Sequence, residues 1–293
     1  MNASSSALLQ RAMPAVFVLI WSTGFIVARF GMPHAPPFGF LCLRYGLSAL
    51  CFGVWILAAR AAWPRGRDQW LHLAVVGLLV HAGYLGGVWA AVKAGLGAGT
   101  IALLVGLQPV LTALWVSLQA DGERAVSGRQ WGGLALGLGG LTLVVWGKLG
   151  AGEISGVNFA LALFALLSIT VGTLYQKRHV RPCDVRTASF VQVTAALVVS
   201  LPFALLAESE AVRWHPEMVG ALAWSVLALT LGGSSLLYLM IQRGAATQVT
   251  SHLYLVPPCT AVLAWLIFGE SLTVSMVIGM VLTAIGVALV VRE

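Results

Sequence analysis

Residues 244–258 read Gly-Ala-Ala-Thr-Gln-Val-Thr-Ser-His-Leu-Tyr-Leu-Val-Pro-Pro, and they open the stretch that decides the fold. An apolar run leads from them to Gly269-Glu270, and a second apolar run carries Gly279 and Gly286. The same plan occurs once before. Gly95 to Val145 gives a Gly/Ala/Thr opening, Leu107-Gln108-Pro109, an apolar run, Gly122-Glu123 and a further run with Gly132 and Gly139. Gly122, Glu123, Gly132 and Gly139 match Gly269, Glu270, Gly279 and Gly286 at a constant offset of 147 residues. Pro109 matches Pro257 once a single-residue gap is allowed. The chain therefore reads as a duplication, residues 1–150 and 151–293. Each half ends in a pair of hydrophobic helices, the first broken by proline and the two joined by a Gly-Glu turn.

Composition places those helices in a bilayer. Charged residues make up 9% of the chain, against roughly 25% in a soluble domain, and hydrophobic residues 59%. A soluble chain of 293 residues has too little interior for so much apolar surface. The apolar runs are continuous rather than alternating, so they are helices, not barrel strands. Ten spans are expected: 12–31, 38–59, 70–92, 97–119, 130–146, 157–175, 187–206, 218–241, 246–268 and 272–291. The fold class is all-α, a ten-span membrane protein. Cys42, Cys51 and Cys259 fall inside apolar runs and Cys183 in a basic loop, so neither a disulfide nor a zinc spacing is expected.

Basic residues give the orientation. With the N-terminus inside, the inner loops and ends hold twelve of them: Arg11, Arg60, Arg65, Arg67, Arg124, Arg129, Lys177, Arg178, Arg181, Arg186, Arg243 and Arg292. The outer ones hold four, Arg29, Lys93, Lys148 and Arg213. The bias puts both termini in the cytoplasm of an inner-membrane protein. It also accounts for the net charge of +7 without nucleic acid. Five spans per half is an odd number, so the second half enters the membrane inverted. Inverted repeats are used by carriers that bind near the midplane, where the two halves meet.

All ten acidic residues fall in loops or at span ends, from Asp68 to Glu293, and no carboxylate is mid-span. The buried Asp or Glu that often relays protons is missing, as are carboxylate ligands for a metal. No cofactor is expected. His81 and His252 are the histidines deep within spans, and each reads either as a cavity residue or as a group hydrogen-bonded to a neighbouring helix. Arg44, in the second span, reads as a contact for a substrate carboxylate or as an arginine snorkelling to the headgroups, and the second is favoured. Pro109, Pro257 and Pro258 leave carbonyls without helical partners at matched places in the two halves, which points to a cavity there.

Trp21 and Phe25 lie one turn apart, too deep for an interfacial belt; their repeat partners are Ser168 and Gly172, with Tyr175 one turn on. Trp63, Trp70, Trp131 and Trp214 do fit a belt. Gly83 with Gly87, Gly95 with Gly99, and Gly133 with Gly137 are expected to carry close helix crossings. The substrate site is expected from Trp21, Phe25, His81, Tyr84, Trp89, Gln108, Ser168, Tyr175, Tyr238 and His252.

The Trp21-Ser22 span, Leu107-Gln108-Pro109, Val256-Pro257 and the two Gly-Glu turns resemble the drug/metabolite transporter superfamily, specifically its EamA-type carriers. The resemblance covers nearly the whole chain and extends to the aromatic amino-acid exporters of that family. It implies ten spans, a 5+5 inverted repeat and export of small metabolites, often amino acids. Two departures matter. Ser168 stands where the first half has Trp21, and the membrane carboxylate of the small multidrug exporters is missing, so their proton exchange does not carry over.

The leading expectation is a carrier for small amphiphilic metabolites, above all amino acids with apolar or aromatic side chains, with an uncharged aromatic cavity. The runner-up is a multidrug or lipophilic-cation exporter. An intramembrane enzyme is disfavoured: Gly232-Gly233-Ser234-Ser235 has no glycine after a Gly-x-Ser nucleophile and no nearby acid. A purely structural subunit would not need an inverted repeat. Partners are a small molecule and the lipid bilayer; the sequence is silent on oligomeric state.

Overall fold

The computed structural model describes residues 3–119, 128–150, 153–233, 236 and 255–291, and among them every regular element is helical. In chain order the helices are α1 (Ala3–Gly31), α2 (Pro37–Ala59), α3 (Arg67–Val76), α4 (Tyr84–Lys93), α5 (Ala98–Val105), α6 (Gln108–Gln119) and α7 (Gly128–Gly150). The second half gives α8 (Gly156–His179), α9 (Val185–Leu206), α10 (Pro216–Trp224), α11 (Val256–Phe268) and α12 (Val274–Val291). Two π-helical stretches complete the inventory, Gly77–Gly83 joining α3 to α4 and Ser225–Gly233 continuing α10. Five described stretches are long and apolar enough to cross a bilayer, and five shorter apolar ones make up the remaining spans. The protein is an all-helical, ten-span membrane protein with five spans in each half.

Helix ends follow from local chemistry. Pro37 opens α2, whose first amides, of Phe38 and Gly39, are each bonded at 2.8 Å by the Glu208 carboxylate. Arg60 closes the same helix in the left-handed region at φ 50. Ser155 and Asn158 form a reciprocal capping box at the start of α8. Asp184 caps α9, and hydrogen bonds from Arg186 hold its carboxyl below the usual carboxylate range. The prolines expected to break spans stand at helix starts among the described residues. The fourth span splits at Gly106-Leu107, with Pro109 in the first turn of α6. α11 begins at Val256, with Pro257 and Pro258 in its first turn. The split in the fourth span meets the start of α11: a methyl on Gly106 would lie 2.8 Å from Pro257 Cγ.

Glycines set the helix spacings, though not all the expected ones. α7 and α12 cross where a methyl on Gly279 would lie 2.6 Å from the Gly140 carbonyl oxygen, and one on Gly286 2.5 Å from that of Gly133. Gly132 and Gly139, the repeat partners of Gly279 and Gly286, face open space instead. The contact face of α7 is thus turned by one residue from the one the repeat implies. Gly83 and Gly87 do admit α8, against Ser168 and Ala165. Gly95 carries no crossing; its φ of 95 makes it the turn between α4 and α5. The Gly122-Glu123 turn lies outside the described residues.

The two ends of the bundle differ in charge. At one end, Glu153, Glu208, Glu210, Glu217 and Glu270 gather on the connections; at the other, Arg60, Arg65, Arg67, Lys177, Arg178 and Arg181 do.

Candidate functional site

Between the halves lies a cavity of about 110 Å³. One water needs roughly 10–15 Å³ on this measure, so the space suits a small organic molecule. Its wall is built from Trp21, Gly24 and Phe25 of α1, Arg44 of α2, and Val80 and His81 of the first π stretch. Tyr84, Leu85, Val88 and Trp89 of α4, Ile169 of α8, and Leu229 and Thr230 of the second π stretch complete it. Five expected site residues therefore converge: Trp21, Phe25, His81, Tyr84 and Trp89. Helical spacing puts Trp21 with Phe25 on one face, and His81, Tyr84 and Val88 on another. Trp89 is 1% exposed and stacks on Phe40 at 4.3 Å, so its ring is fixed.

The polar groups of the wall are held with direction. The Tyr45 hydroxyl donates to the His81 carbonyl at 2.9 Å, pinning the wide turn. In the other π stretch the Thr230 hydroxyl donates to the Ser225 carbonyl five residues back, at 2.8 Å. Arg44 Nε and Nη2 then donate to Thr230 Oγ1 at 3.3 and 3.2 Å. Arg44 is 8% exposed. It does not snorkel, and the cavity is not uncharged: a guanidinium faces it.

Other expected residues lie elsewhere. Gln108 donates to Thr173 Oγ1 of α8 at 3.1 Å and is not among the lining residues. Ser168 is buried beneath Gly83 at the α4–α8 crossing. Tyr175 sits at the basic end, with its hydroxyl 2.8 Å from His72 Nδ1 and its ring stacked on His179. Tyr238 and His252 lie outside the described residues. Ser22, beside Trp21, is wholly buried, and its carbonyl accepts from Thr260 of α11 at 3.0 Å, which ties α1 to the opposite half.

Contacts between the halves gather at the acidic end. Lys93 donates to the Met32 carbonyl at 3.0 Å and pairs with Glu210 at 2.5 Å. His34 meets Glu217 at 2.9 Å, and Arg213 donates through its amide to the His34 carbonyl and through its guanidinium to that of Pro33. Glu270, from the Gly-Glu turn, accepts from the amides of Ala98 and Gly99 at 2.9 and 3.2 Å and so caps α5 of the other half. Glu153 joins it there, bonded to Gly97 N, Thr100 Oγ1 and buried Lys148.

The model of the EamA-like transporter family matches this chain twice, over residues 12–146 and 158–292. The chain belongs to the EamA-like transporter family. Among its relatives is a probable amino-acid metabolite efflux pump of Escherichia coli, 25% identical over 92% of this chain and 90% of that protein. An uncharacterized transporter of Archaeoglobus fulgidus is 24% identical over 99% of this chain and 98% of that one. A solved structure 17% identical covers 98% of this chain and 96% of its own, with a TM-score of 0.65, and shares the fold. This EamA-like transporter is thus a multi-pass membrane protein that handles a small molecule, and its family and relatives are transporters rather than enzymes.

Proposed function

We propose that this transporter exports small amphiphilic metabolites that bear a carboxylate, amino acids with apolar or aromatic side chains among them, by alternating access across the cell inner membrane. The observation that carries the reading is the cavity itself. Both halves wall it, aromatic rings line it, and cross-half contacts gather at the acidic end of the bundle. An apolar side chain would stack on Trp21, Phe25 and Tyr84, and a carboxylate would meet Arg44. The named cargo of the Escherichia coli relative supports the class. A fixed cation in the wall speaks against the lipophilic-cation reading, because it repels such a cargo. The basic bias supports a cytoplasmic position for both termini and the Lys177–Arg186 loop, and hence an outer position for the acidic end.

Counterflow by the purified chain in proteoliposomes tests the reading. A panel of labelled amino acids, aromatic carboxylates and lipophilic cations should show saturable exchange for the apolar and aromatic carboxylate-bearing members. Exchange of cations alone would refute the substrate class, and no exchange of any member would refute the carrier.

A further inference from the structure

Resting on the carrier reading above, we propose that the cavity selects its cargo by net charge. It takes singly negative amphiphilic carboxylates in preference to zwitterions, with Arg44 as the residue that sets the preference.

Arginine keeps its charge in proteins and offers five N–H donors. Arg44 directs two of them at one neutral oxygen, that of Thr230. Thr230 supplies no charge in return, and its own proton is committed to the Ser225 carbonyl. A buried charge is tolerated when an opposite charge joins it. Among the described residues no carboxylate does so. The described Asp and Glu side chains stand at helix ends, occupied there with helix amides, lysine, arginine or histidine, or exposed as Asp68 is. Residues 234–254, which run between the second π stretch and α11, contain no Asp or Glu in their sequence. Neither the described residues nor the segment 234–254 thus supplies the counter-charge of Arg44, and a cargo can bring it.

A monocarboxylate brings one negative charge, and the loaded cavity is neutral. A zwitterion brings the same carboxylate together with an ammonium, and the loaded cavity keeps a net positive charge inside a low-dielectric wall. The rings of Trp21 and Tyr84 can face an ammonium, but they hold no charge to cancel it. An amine without a carboxylate would add a second cation and leave Arg44 unpaired. The three cargo types are therefore ranked by electrostatics alone, with the apolar part held constant.

The pairing also spans the halves. Arg44 belongs to the first half and Thr230 to the second, and a bound carboxylate would take from Thr230 the donors it now accepts. Cargo would then loosen a link between the halves at the same moment as it neutralises the cavity.

Three ligands with one phenylethyl scaffold test this: 3-phenylpropionate, phenylalanine and phenethylamine, titrated calorimetrically against the detergent-solubilised full chain. Wild-type protein should bind 3-phenylpropionate tightest, phenylalanine roughly tenfold or more weaker, because its ammonium is buried without an opposite charge, and phenethylamine not measurably. Arg44→Met, which leaves a bound monocarboxylate unpaired and a bound zwitterion neutral overall, should reverse the order of the first two, and Arg44→Lys should keep the wild-type order. Phenylalanine binding as tightly as 3-phenylpropionate to the wild type overturns the proposal without reference to any variant. So does an Arg44→Met protein that is monodisperse and retains the preference. Either result leaves the carrier standing if the counterflow panel shows exchange, whereas a panel with no exchange removes the carrier and this inference together.

Discussion

Replacing Trp21 by alanine separates a cavity wall from simple packing. The indole lines the cavity and packs on Phe17 one turn earlier, with centroids 5.2 Å apart, while the backbone of Gly233 lies beneath its ring. A tryptophan buries 150–250 Å² in all, so one ring face offers on the order of 50 Å² to a ligand. At ~25 cal/mol per Å² that face is worth about 1.2 kcal/mol, within the range of ~0.5–1.5 kcal/mol measured for aromatic pairs. Trp21→Ala should therefore raise the half-saturating cargo concentration roughly eightfold, and Trp21→Phe less. The assay is proteoliposome counterflow of the best-exchanged member of the panel, at equal reconstituted protein. Trp131 provides the control: it is 53% exposed on α7, and its alanine variant should leave half-saturation unchanged. Equal half-saturation in Trp21→Ala and Trp131→Ala would refute the aromatic wall and reduce Trp21 to packing.

Gly279→Ala and Gly286→Ala should each lower thermal stability in detergent by about 1–3 kcal/mol through overpacking, whereas Gly132→Ala and Gly139→Ala, which face open space, should not; equal losses at all four would contradict the α7–α12 crossing. Glu270→Ala should cost about 0.5–2 kcal/mol as a lost helix cap, and Glu270→Gln, which keeps an acceptor for Ala98 N, clearly less; thermal unfolding reads both. Cys183, retained as the single cysteine, should resist a membrane-impermeant maleimide in intact cells and react after lysis, since its loop is proposed to be cytoplasmic. Burial raises its thiol above the usual range, so at a given pH less of it is thiolate, and labelling after lysis should keep climbing through alkaline pH beyond the point where an exposed cysteine levels off. Labelling in intact cells would overturn the orientation.

The spans and the duplication were legible because continuous apolar runs and a constant offset need no tertiary information. The meeting of Gly106 with Pro257 was half legible: proline marks where a helix must break, but not what the break touches. The two π stretches were not legible. A wide turn leaves hydropathy unchanged, and it is held by contacts from elsewhere, Tyr45 on the His81 carbonyl and Thr230 on that of Ser225. Tyr175 shares a helical face with Ser168 and Gly172, as its spacing says, yet face does not specify depth, and one further turn carries it to His72 at the basic end. Arg44 had a readable signal that the snorkelling argument passed over. Arg44, Ser48, Phe52 and Ile56 recur every four residues and are buried, while Leu47, Leu50, Val54 and Leu57 form the opposite, exposed and wholly aliphatic face. In a bilayer the aliphatic face meets lipid, so the arginine had to point inward.

The absence of a carboxylate from every span then acquires a consequence. A carrier moves cargo only if the cargo shifts the balance between its two conformations, and it can shift that balance only by binding one of them better. In proton-coupled carriers a buried acid makes the difference, charged in one state and neutral in the other. Here the buried charge is permanent and positive, and it is partnered across the two halves by a neutral hydroxyl. Empty, the cavity carries a cation that favours whichever arrangement keeps Thr230 against it. Loaded with a carboxylate, it would be neutral, and that restraint between the halves would be gone. On the proposal made above, cargo does the work that a proton does elsewhere. Removing the Thr230 hydroxyl should accordingly loosen the empty protein more than the loaded one. Thr230→Val is expected to unfold at a lower temperature than wild type without cargo and to recover more of the difference when 3-phenylpropionate is added. An equal shift with and without the carboxylate would mean that Thr230 and the cargo do not share Arg44, and the coupling would have to lie in another part of the bundle.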